Sequence, residues 1–403
     1  MSVLMFPGQG SQAKGMGEAL FDRYPELTAA ADGILGYSIR ALCVDDPERQ
    51  LNNTRYTQPA LYVVNALSFR RYRDEGGAAP AWLAGHSLGE YNALQAAGAV
   101  SFEDGLRLVA RRGALMSTAP KGAMAAVIGV DEARIRAVLR EAGLETIDIA
   151  NLNSPNQTIL SGLVADIASA ERAFDGIARY VPLNTSGAFH SRYMDAARRE
   201  FETFLSEIRF TTPAIPVIAN VDARPYPGDD IAARLARQIT HSVQWTRTIQ
   251  TLLATGETDY VEIGPGQVLT RLVAEIRKHP LPADVAPAVL PAATGLAAEA
   301  RNPGHESAHE SAHESAHESA HESAHDATHE AAPRYDRAAL LQDVQQRISA
   351  WNRLHPVGTR VRVDTYDSVL VTRTPAVPLF GHRAAIYLEG YHGYFDLTEV
   401  RPA

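Results

Sequence analysis

Apolar positions fall in two rhythms along the first part of the chain. Val3-Leu4-Met5-Phe6 is an unbroken apolar run closed by Pro7-Gly8-Gln9-Gly10-Ser11. That is the pattern of a strand buried on both faces and ended by a turn. From Leu61 to Tyr72 the apolar side chains Leu61, Val64, Leu67 and Phe69 recur at helical spacing. Trp82-Leu83-Ala84-Gly85 repeats the buried-strand pattern and runs into Gly85-His86-Ser87-Leu88-Gly89, after which Glu90–Ala97 reads as a helix. Strand, glycine turn and helix in that order predict an open α/β sheet.

The rhythm changes near residue 124. Met124–Gly129 is strand-like, Glu132–Ala142 helix-like, Thr146–Ala150 and Thr158–Ser161 strand-like, Ala165–Phe174 helix-like and Tyr180–Leu183 strand-like. An Asn-rich connector, residues 151–157, joins the two middle strands. The order βαββαβ predicts a ferredoxin-like subdomain inserted into a larger α/β-hydrolase-like domain. The predicted division is a large α/β domain over 1–123 and 187–280, the small subdomain over 124–186, a low-complexity linker over 281–333 and a separate unit over 334–403. In that last unit Leu340, Leu341, Val344, Ile348, Trp351 and Leu354 keep helical spacing until Pro356 and Gly358 break it. Val361–Val363, Val369–Val371, Ala385–Leu388 and Tyr394–Leu397 then look like short strands, so one helix and a small β-rich domain are expected, an SH3-like barrel being one form of it.

Within the linker, residues 305–324 repeat His-Glu-Ser-Ala five times. Such a tract has too little apolar surface to offset chain entropy, so disorder or transient helix is expected. A period of four would align the His on one helical stripe able to take a transition metal. Composition supports a flexible linker over that reading, and no metal site is assigned.

Composition narrows the function classes. The chain has 403 residues, enough for two or three domains, and is 45% hydrophobic and 21% charged, as globular proteins are. No apolar run approaches the roughly 18 residues that span a bilayer. Met1–Gly10 lacks the basic region and apolar core of a secretory leader, and the single cysteine, Cys43, provides neither a disulfide framework nor a thiolate cage. A cytoplasmic location is expected. The net charge is −9, and the excess acid sits in the repeat tract, where residues 305–330 carry seven carboxylates and no Lys or Arg. No Lys/Arg cluster suggests a nucleic-acid footprint.

The candidate chemistry centres on Gly85-His86-Ser87-Leu88-Gly89. A serine hydroxyl needs a base to take its proton and a turn to hold it clear of the backbone. A G-x-S-x-G elbow between strand and helix supplies that turn, and the amide of the following residue, Leu88, can face a developing oxyanion.

Other segments stand around this elbow, which continues as Glu90-Tyr91, in order: Phe6-Pro7-Gly8-Gln9-Gly10-Ser11-Gln12, Thr57-Gln58-Pro59-Ala60, Arg112-Gly113, Gly122-Ala123-Met124, Asn153-Ser154-Pro155, Gly187-Ala188-Phe189-His190-Ser191, Val243-Gln244-Trp245 and Glu262-Ile263-Gly264-Pro265-Gly266. In this succession, residues 2 to about 278 resemble the malonyl-CoA:acyl-carrier-protein transacylases of fatty acid synthesis and the acyltransferases of polyketide synthases.

The resemblance implies a Ser-His dyad, with Ser87 as the nucleophile that carries the acyl group and His190 as its base and later acid. It implies an oxyanion hole from the amides of Gln9 and Leu88, and Gln244 as the residue that orients the imidazole. Arg112 would hold the malonyl carboxylate, since only a guanidinium offers a planar fork to a desolvated carboxylate. Phe189 would crowd out an α-methyl group, while His86 is read as a packing residue and Arg111 as a solvated charge. The implied substrate is malonyl-CoA, the implied partner an acyl carrier protein or a carrier domain of a polyketide synthase, and the implied enzyme a monomer without bound cofactor or metal. Carrier proteins are usually acidic, which makes Arg70, Arg71 and Arg73, or Arg198 and Arg199, candidates for docking. The added C-terminal unit suggests a discrete enzyme serving an assembly line in trans. Two competing readings are a hydrolase that clears stalled acyl groups from carriers and a non-catalytic scaffold presenting the C-terminal unit.

Overall fold

The computed structural model describes residues 2–288, 337–363, 366–379, 383–389, 394–397 and 400–403. The His-Glu-Ser-Ala tract lies outside the described residues. The chain divides into two units, Met1–Pro291 and Ala292–Ala403.

The strands of the first unit are β1 (Ser2–Phe6), β2 (Trp82–Gly85), β3 (Ala123–Ile128), β4 (Asp148–Ser154), β5 (Gln157–Gly162), β6 (Arg179–Pro182), β7 (Val217–Ile218) and β8 (Asp259–Glu262). One sheet has the order β7-β2-β1-β8 and is parallel throughout, with Val3 opposite Trp82 and Ser2 opposite Asp259. β1 and β2 are buried along their whole length, as central strands covered on both faces must be. Val3, Met5, Trp82 and Ala84 pack on one side against Trp245, Ile249, Leu252 and Leu269. Because β1 and β2 are parallel neighbours, their carboxyl ends lie side by side. The Pro7–Ser11 loop and the turn at Ser87 therefore share one edge, where open α/β sheets bind ligands.

Two crossing helices bring a third segment to that edge. The helix Thr54–Asp74 contains the predicted Leu61–Tyr72 and starts earlier, at the Asn53 cap, whose side chain accepts the Arg55 N–H. The helix Phe102–Thr118 lies against it at two glycines. A Cβ on Gly105 would stand 2.0 Å from the Tyr62 hydroxyl, and one on Gly113 would stand 2.9 Å from the Thr54 carbonyl oxygen. This close approach seats Arg112 beside the first turns of the partner helix.

The second sheet has the order β4-β5-β3-β6 and is antiparallel. The helices Glu132–Glu141 and Val164–Ala173 cover it through Ile135, Val138, Ile167 and Ala170, which pack on Ala125, Val127, Ile149 and Leu160. The chain enters this sheet at Lys121 and leaves it at Gly187, which bridge each other antiparallel. A Cβ on Gly122 would lie 2.5 Å from the Ala188 amide nitrogen, so the crossing requires glycine there.

One boundary differs from expectation. Residues 151–154, read as connector, belong to β4, and only Pro155 and Asn156 turn the chain into β5. Asn151 and Leu152 pair with β5 on one side, and on the other Leu152 N–H donates to Val243 O at 3.0 Å. Pairing on both edges overrides the weak strand preference of asparagine.

In the second unit the helix Arg337–Leu354 precedes β9 (Arg360–Val363), β10 (Tyr366–Val371), β11 (Val377–Leu379), β12 (Arg383–Tyr387), β13 (Tyr394–Asp396) and β14 (Val400–Pro402). Two antiparallel sheets, β10-β9-β14 and β11-β12-β13, are linked by a bridge between Thr372 and Leu388. Val361, Val363, Ile386, Leu388 and Val400 form their core, and Trp351 of the helix packs on it. Among the described residues, no helix is long and apolar enough to cross a membrane.

Candidate active site

Ser87 stands on the turn between β2 and the helix Gly89–Ala96, with φ of 51°. A non-glycine residue in that region costs about 1–3 kcal/mol and persists only where its surroundings enforce it. The enforcement is visible. A Cβ on Gly85 would stand 2.0 Å from Gly89, and one on Gly89 would stand 1.9 Å from Phe6 O, so both glycines of the elbow are required by packing. The Ser87 N–H donates to Asn220 Oδ1 at 2.7 Å, and Asn220 Nδ2 donates to Gly85 O at 2.7 Å.

His190 also has positive φ, 56°. Its Nε2 lies 2.7 Å from Ser87 Oγ, and its Nδ1 lies 2.8 Å from the main-chain carbonyl of Gln238. A carbonyl can only accept, so Nδ1 carries the proton and Nε2 is free to take one from the serine. Burial pushes the imidazole down to about 3, and the Arg112 charge adds to the shift. The neutral, proton-accepting form therefore prevails at neutral pH.

The expectation for Gln244 is corrected here. Gln244 stands at the N-cap position of the helix Trp245–Ala254, its main-chain N–H donating to Asn220 O at 2.8 Å, and it lines a separate cavity with Leu152 and Gln250. The glutamine at the imidazole is Gln238, six residues earlier on the preceding helix Ile231–Gln238. Its main chain does the holding, which frees the side chain for other partners.

Arg112 is 2% exposed. Nη1 donates to Gln58 Oε1 at 2.7 Å, and Nη2 donates to Gln238 Oε1 at 2.9 Å and to Ser87 Oγ at 3.2 Å. Its guanidinium carbon stands 5.6 Å from the centre of the Tyr91 ring. Among the described residues no carboxylate lies within ion-pair distance of it, and burial lowers its pKa. An isolated buried cation supported only by neutral acceptors is costly, and an incoming anion would offset that cost.

A cavity of about 80 Å³ joins these groups, lined by Gln9, Gln58, Ser87, Leu88, Arg112, Met116, Met124, Asn151, Thr185, Phe189 and His190. The loop after β1 presses on the elbow so closely that a Cβ on Gly8 would stand 2.4 Å from His86 O and 3.6 Å from Leu88 N. Gln9 Oε1 accepts from Thr54 Oγ1 at 2.6 Å, and Thr54 Oγ1 is 3.4 Å from Gln58 Nε2, so the loop is tied to the arginine's own partner. The buried Phe189 closes one wall of the cavity.

Beneath the cavity lies Glu90, 1% exposed and without a role in the sequence reading. Oε1 accepts from Tyr226 Oη at 2.6 Å and from the Asn220 N–H at 2.9 Å, and Oε2 accepts from Gln238 Nε2. Burial pushes this carboxyl up to about 7 despite those three donors. Gln58 lies within Thr57-Gln58-Pro59-Ala60 and Glu90 directly follows the elbow glycine Gly89, but Asn220, Tyr226 and Gln238 carry no local sequence signal.

Of the remaining candidates, His86 packs edge-on against Trp245 and meets Asn153 Oδ1 at 2.8 Å. Arg111 is on the surface, 3.3 Å from Glu200. Arg70 pairs with Asp74, and Arg198 and Arg199 share Asp195. Arg71 and Arg73 are exposed and, among the described residues, have no carboxylate within ion-pair distance. No group of three or more His, Cys, Asp or Glu among the described residues is arranged to hold a metal ion.

Residues 3–323 match the family model described as acyl transferase domain. The chain is 51% identical over 282 residues, 69% of its length and 98% of the relative's, to the polyketide biosynthesis malonyl CoA-acyl carrier protein transacylase BaeC of Bacillus velezensis. It is 40% identical over 284 residues to the malonyl CoA-acyl carrier protein transacylase of Escherichia coli, covering 68% of this chain and 92% of that one. Among solved structures, the malonyl CoA-acyl carrier protein transacylase of Burkholderia pseudomallei superposes with a TM-score of 0.68 at 53% identity, over 70% of this chain and 99% of that one.

Proposed function

This chain belongs to the acyl transferase family, and we propose that it moves a malonyl group from malonyl-CoA, through an ester on Ser87, to the phosphopantetheine thiol of an acyl carrier protein. It acts in polyketide biosynthesis, as its relative in Bacillus velezensis is named for. The observation that carries this reading is that one oxygen, Ser87 Oγ, meets both an acceptor nitrogen of His190 at 2.7 Å and a donor nitrogen of the buried Arg112 at 3.2 Å.

The chemistry follows from that geometry. The malonyl carboxylate engages Arg112 on the side that faces Ser87, while Gln58 and Gln238 keep hold of the guanidinium, and its charge offsets the field that holds His190 down. His190 Nε2 takes the Ser87 proton as Oγ attacks the thioester carbonyl. The N–H groups of Leu88 and Gln9 receive the oxyanion, and the helix Gly89–Ala96 adds its positive end. His190 returns the proton to the CoA thiolate. The carrier thiol then enters and the steps reverse, which gives ping-pong kinetics. Phe189 disfavours an α-methyl substituent by about 1–3 kcal/mol, the usual worth of one methyl group in a pocket.

A buried cation without a carboxylate partner favours a diacid substrate over the neutral acyl groups that a clearing hydrolase would meet. The intact dyad disfavours a purely scaffolding role. We read residues 124–186 as a ferredoxin-like subdomain and residues 334–403 as a small β-rich, SH3-like domain, joined through the linker over 281–333. The enzyme works as a cytoplasmic monomer without cofactor or metal and presents Arg71 and Arg73 to an acidic carrier. Intact-mass analysis tests the reading: malonyl-CoA should add one malonyl group to the protein, and carrier domains of a polyketide synthase should remove it. No adduct with malonyl-CoA would refute it.

A further inference from the structure

We infer that Glu90 is a positioning residue that sets the orientation of the Gln238 side-chain amide and, through it, aims Arg112 at the malonyl carboxylate. This rests on the function proposed above and adds a residue to it.

The argument is one of donors and acceptors. An ionised carboxylate accepts only. Its Oε1 is occupied by the Tyr226 hydroxyl and by the Asn220 main-chain N–H, which cannot rotate. Its Oε2 therefore draws the NH2 end of the Gln238 amide. That choice turns the carbonyl end, Oε1, toward Arg112 Nη2 at 2.9 Å, and lets Nε2 also donate to Ser87 O at 2.9 Å. Flipped, the same amide would press an NH2 group against a guanidinium. The Asn220 main chain, fixed on Glu90 Oε1, carries a side chain that holds the Ser87 N–H and Gly85 O. The Gln238 amide thus carries the preference of the carboxylate to Arg112 and to the Ser87 main chain, neither of which the carboxylate itself meets.

Glu90→Gln keeps size and shape but cannot meet these demands. The fixed Asn220 N–H holds the new Oε1, so the new NH2 faces Gln238. Gln238 must then turn its carbonyl toward position 90 and its NH2 toward Arg112.

The test is steady-state transfer from malonyl-CoA and acetyl-CoA to a carrier protein by the full chain, for wild type, Glu90→Gln, Gln238→Ala and the double variant. In Glu90→Gln we expect KM for malonyl-CoA to rise about 10-fold or more and the malonyl-over-acetyl preference to fall by a similar factor, since one misdirected buried hydrogen bond to a charge is worth roughly 1.5–3 kcal/mol. With Gln238 already truncated, Glu90→Gln should add less than about twofold, because the two act through one contact. An unchanged malonyl preference, or penalties that simply multiply in the double variant, overturns the inference. Should Glu90→Gln not fold, Tyr226→Phe removes one donor to the carboxylate from outside the cavity. The acid limb of malonyl transfer should then move to higher pH, and an unmoved limb overturns the inference. The charged and titratable groups facing Glu90 are Tyr226, Tyr91 and Arg112, and of these only Tyr226 is altered in that variant. A wild-type protein that takes no malonyl group refutes the function itself, whereas wild-type transfer with an indifferent Glu90→Gln refutes only this assignment.

Discussion

Arg112 donates to Ser87 Oγ at 3.2 Å at the wall of the cavity they share, so the guanidinium and the serine hydroxyl are in direct contact. A malonyl group attached at Ser87 needs its free carboxylate within reach of the same cation, and the contact guarantees that reach. Arg112→Gln keeps a donor but removes the charge. Leaving the substrate carboxylate buried and unpaired costs about 3–5 kcal/mol. Malonyl transfer should fall by a factor on the order of 10²–10³ in kcat/KM, and acetyl transfer should hold or rise. Equal losses for the two acyl groups would show that Arg112 is not the carboxylate site.

Gly113 carries the same argument one residue along the chain. It lies where the helix Phe102–Thr118 meets the Thr54 carbonyl, and a Cβ there would approach to 2.9 Å. In Gly113→Ala the helices must part, costing about 1–3 kcal/mol as overpacked sites do. Arg112 would move with its helix, away from Gln58 and Gln238. A lowered Tm should accompany a weaker preference for malonyl over acetyl. If Tm drops while the preference stays put, the glycine serves packing alone.

Local signals marked the elbow well, and long-range contacts escaped them. Ser87 and His190 sit in recognisable motifs, and the two glycines whose packing shapes the elbow, Gly85 and Gly89, are near neighbours of Ser87 in sequence. Gln238 and Gln244 both precede apolar positions, and nothing local tells which faces an imidazole 48 residues earlier in the chain than the first of them. The choice is made by where the helix Ile231–Gln238 ends. The Asn-rich stretch misled for a similar reason. Asparagine commonly marks a turn, yet Asn151 lines the cavity and Asn153 holds His86, so their polarity is used by the site while their main chain pairs as a strand.

His190 also links the site to stability. Its folded value of about 3 lies below the ordinary 6.5. An unfolded chain therefore binds a proton below pH 6.5 that the native state refuses. The contribution is whole above 6.5 and is lost as pH falls toward 3. Glu90 acts in the opposite sense, since a carboxyl raised from 4.5 to about 7 contributes stability below 4.5 that is lost as pH rises through 7. Comparing wild type with His190→Asn cancels the Glu90 part. The difference in unfolding free energy should change by about 1.4 kcal/mol per pH unit between these limits. Parallel urea-denaturation curves at pH 7 and pH 5 would contradict the buried neutral imidazole.

The oxyanion site can be tested apart from both arginine and dyad. Gly8 brings the loop after β1 onto the elbow, and an added Cβ would stand 2.4 Å from His86 O. Gly8→Ala should push the Gln9 amide away from the Leu88 amide and leave a single donor for the tetrahedral intermediate. Loss of one such donor costs roughly 10²–10³ in kcat. Arg112 is untouched, so under the proposed function inhibition by free malonate should persist at its wild-type concentration. A kcat within about threefold of wild type would mean that the Gln9 amide takes no part, and the oxyanion would then depend on Leu88 and the end of its helix alone.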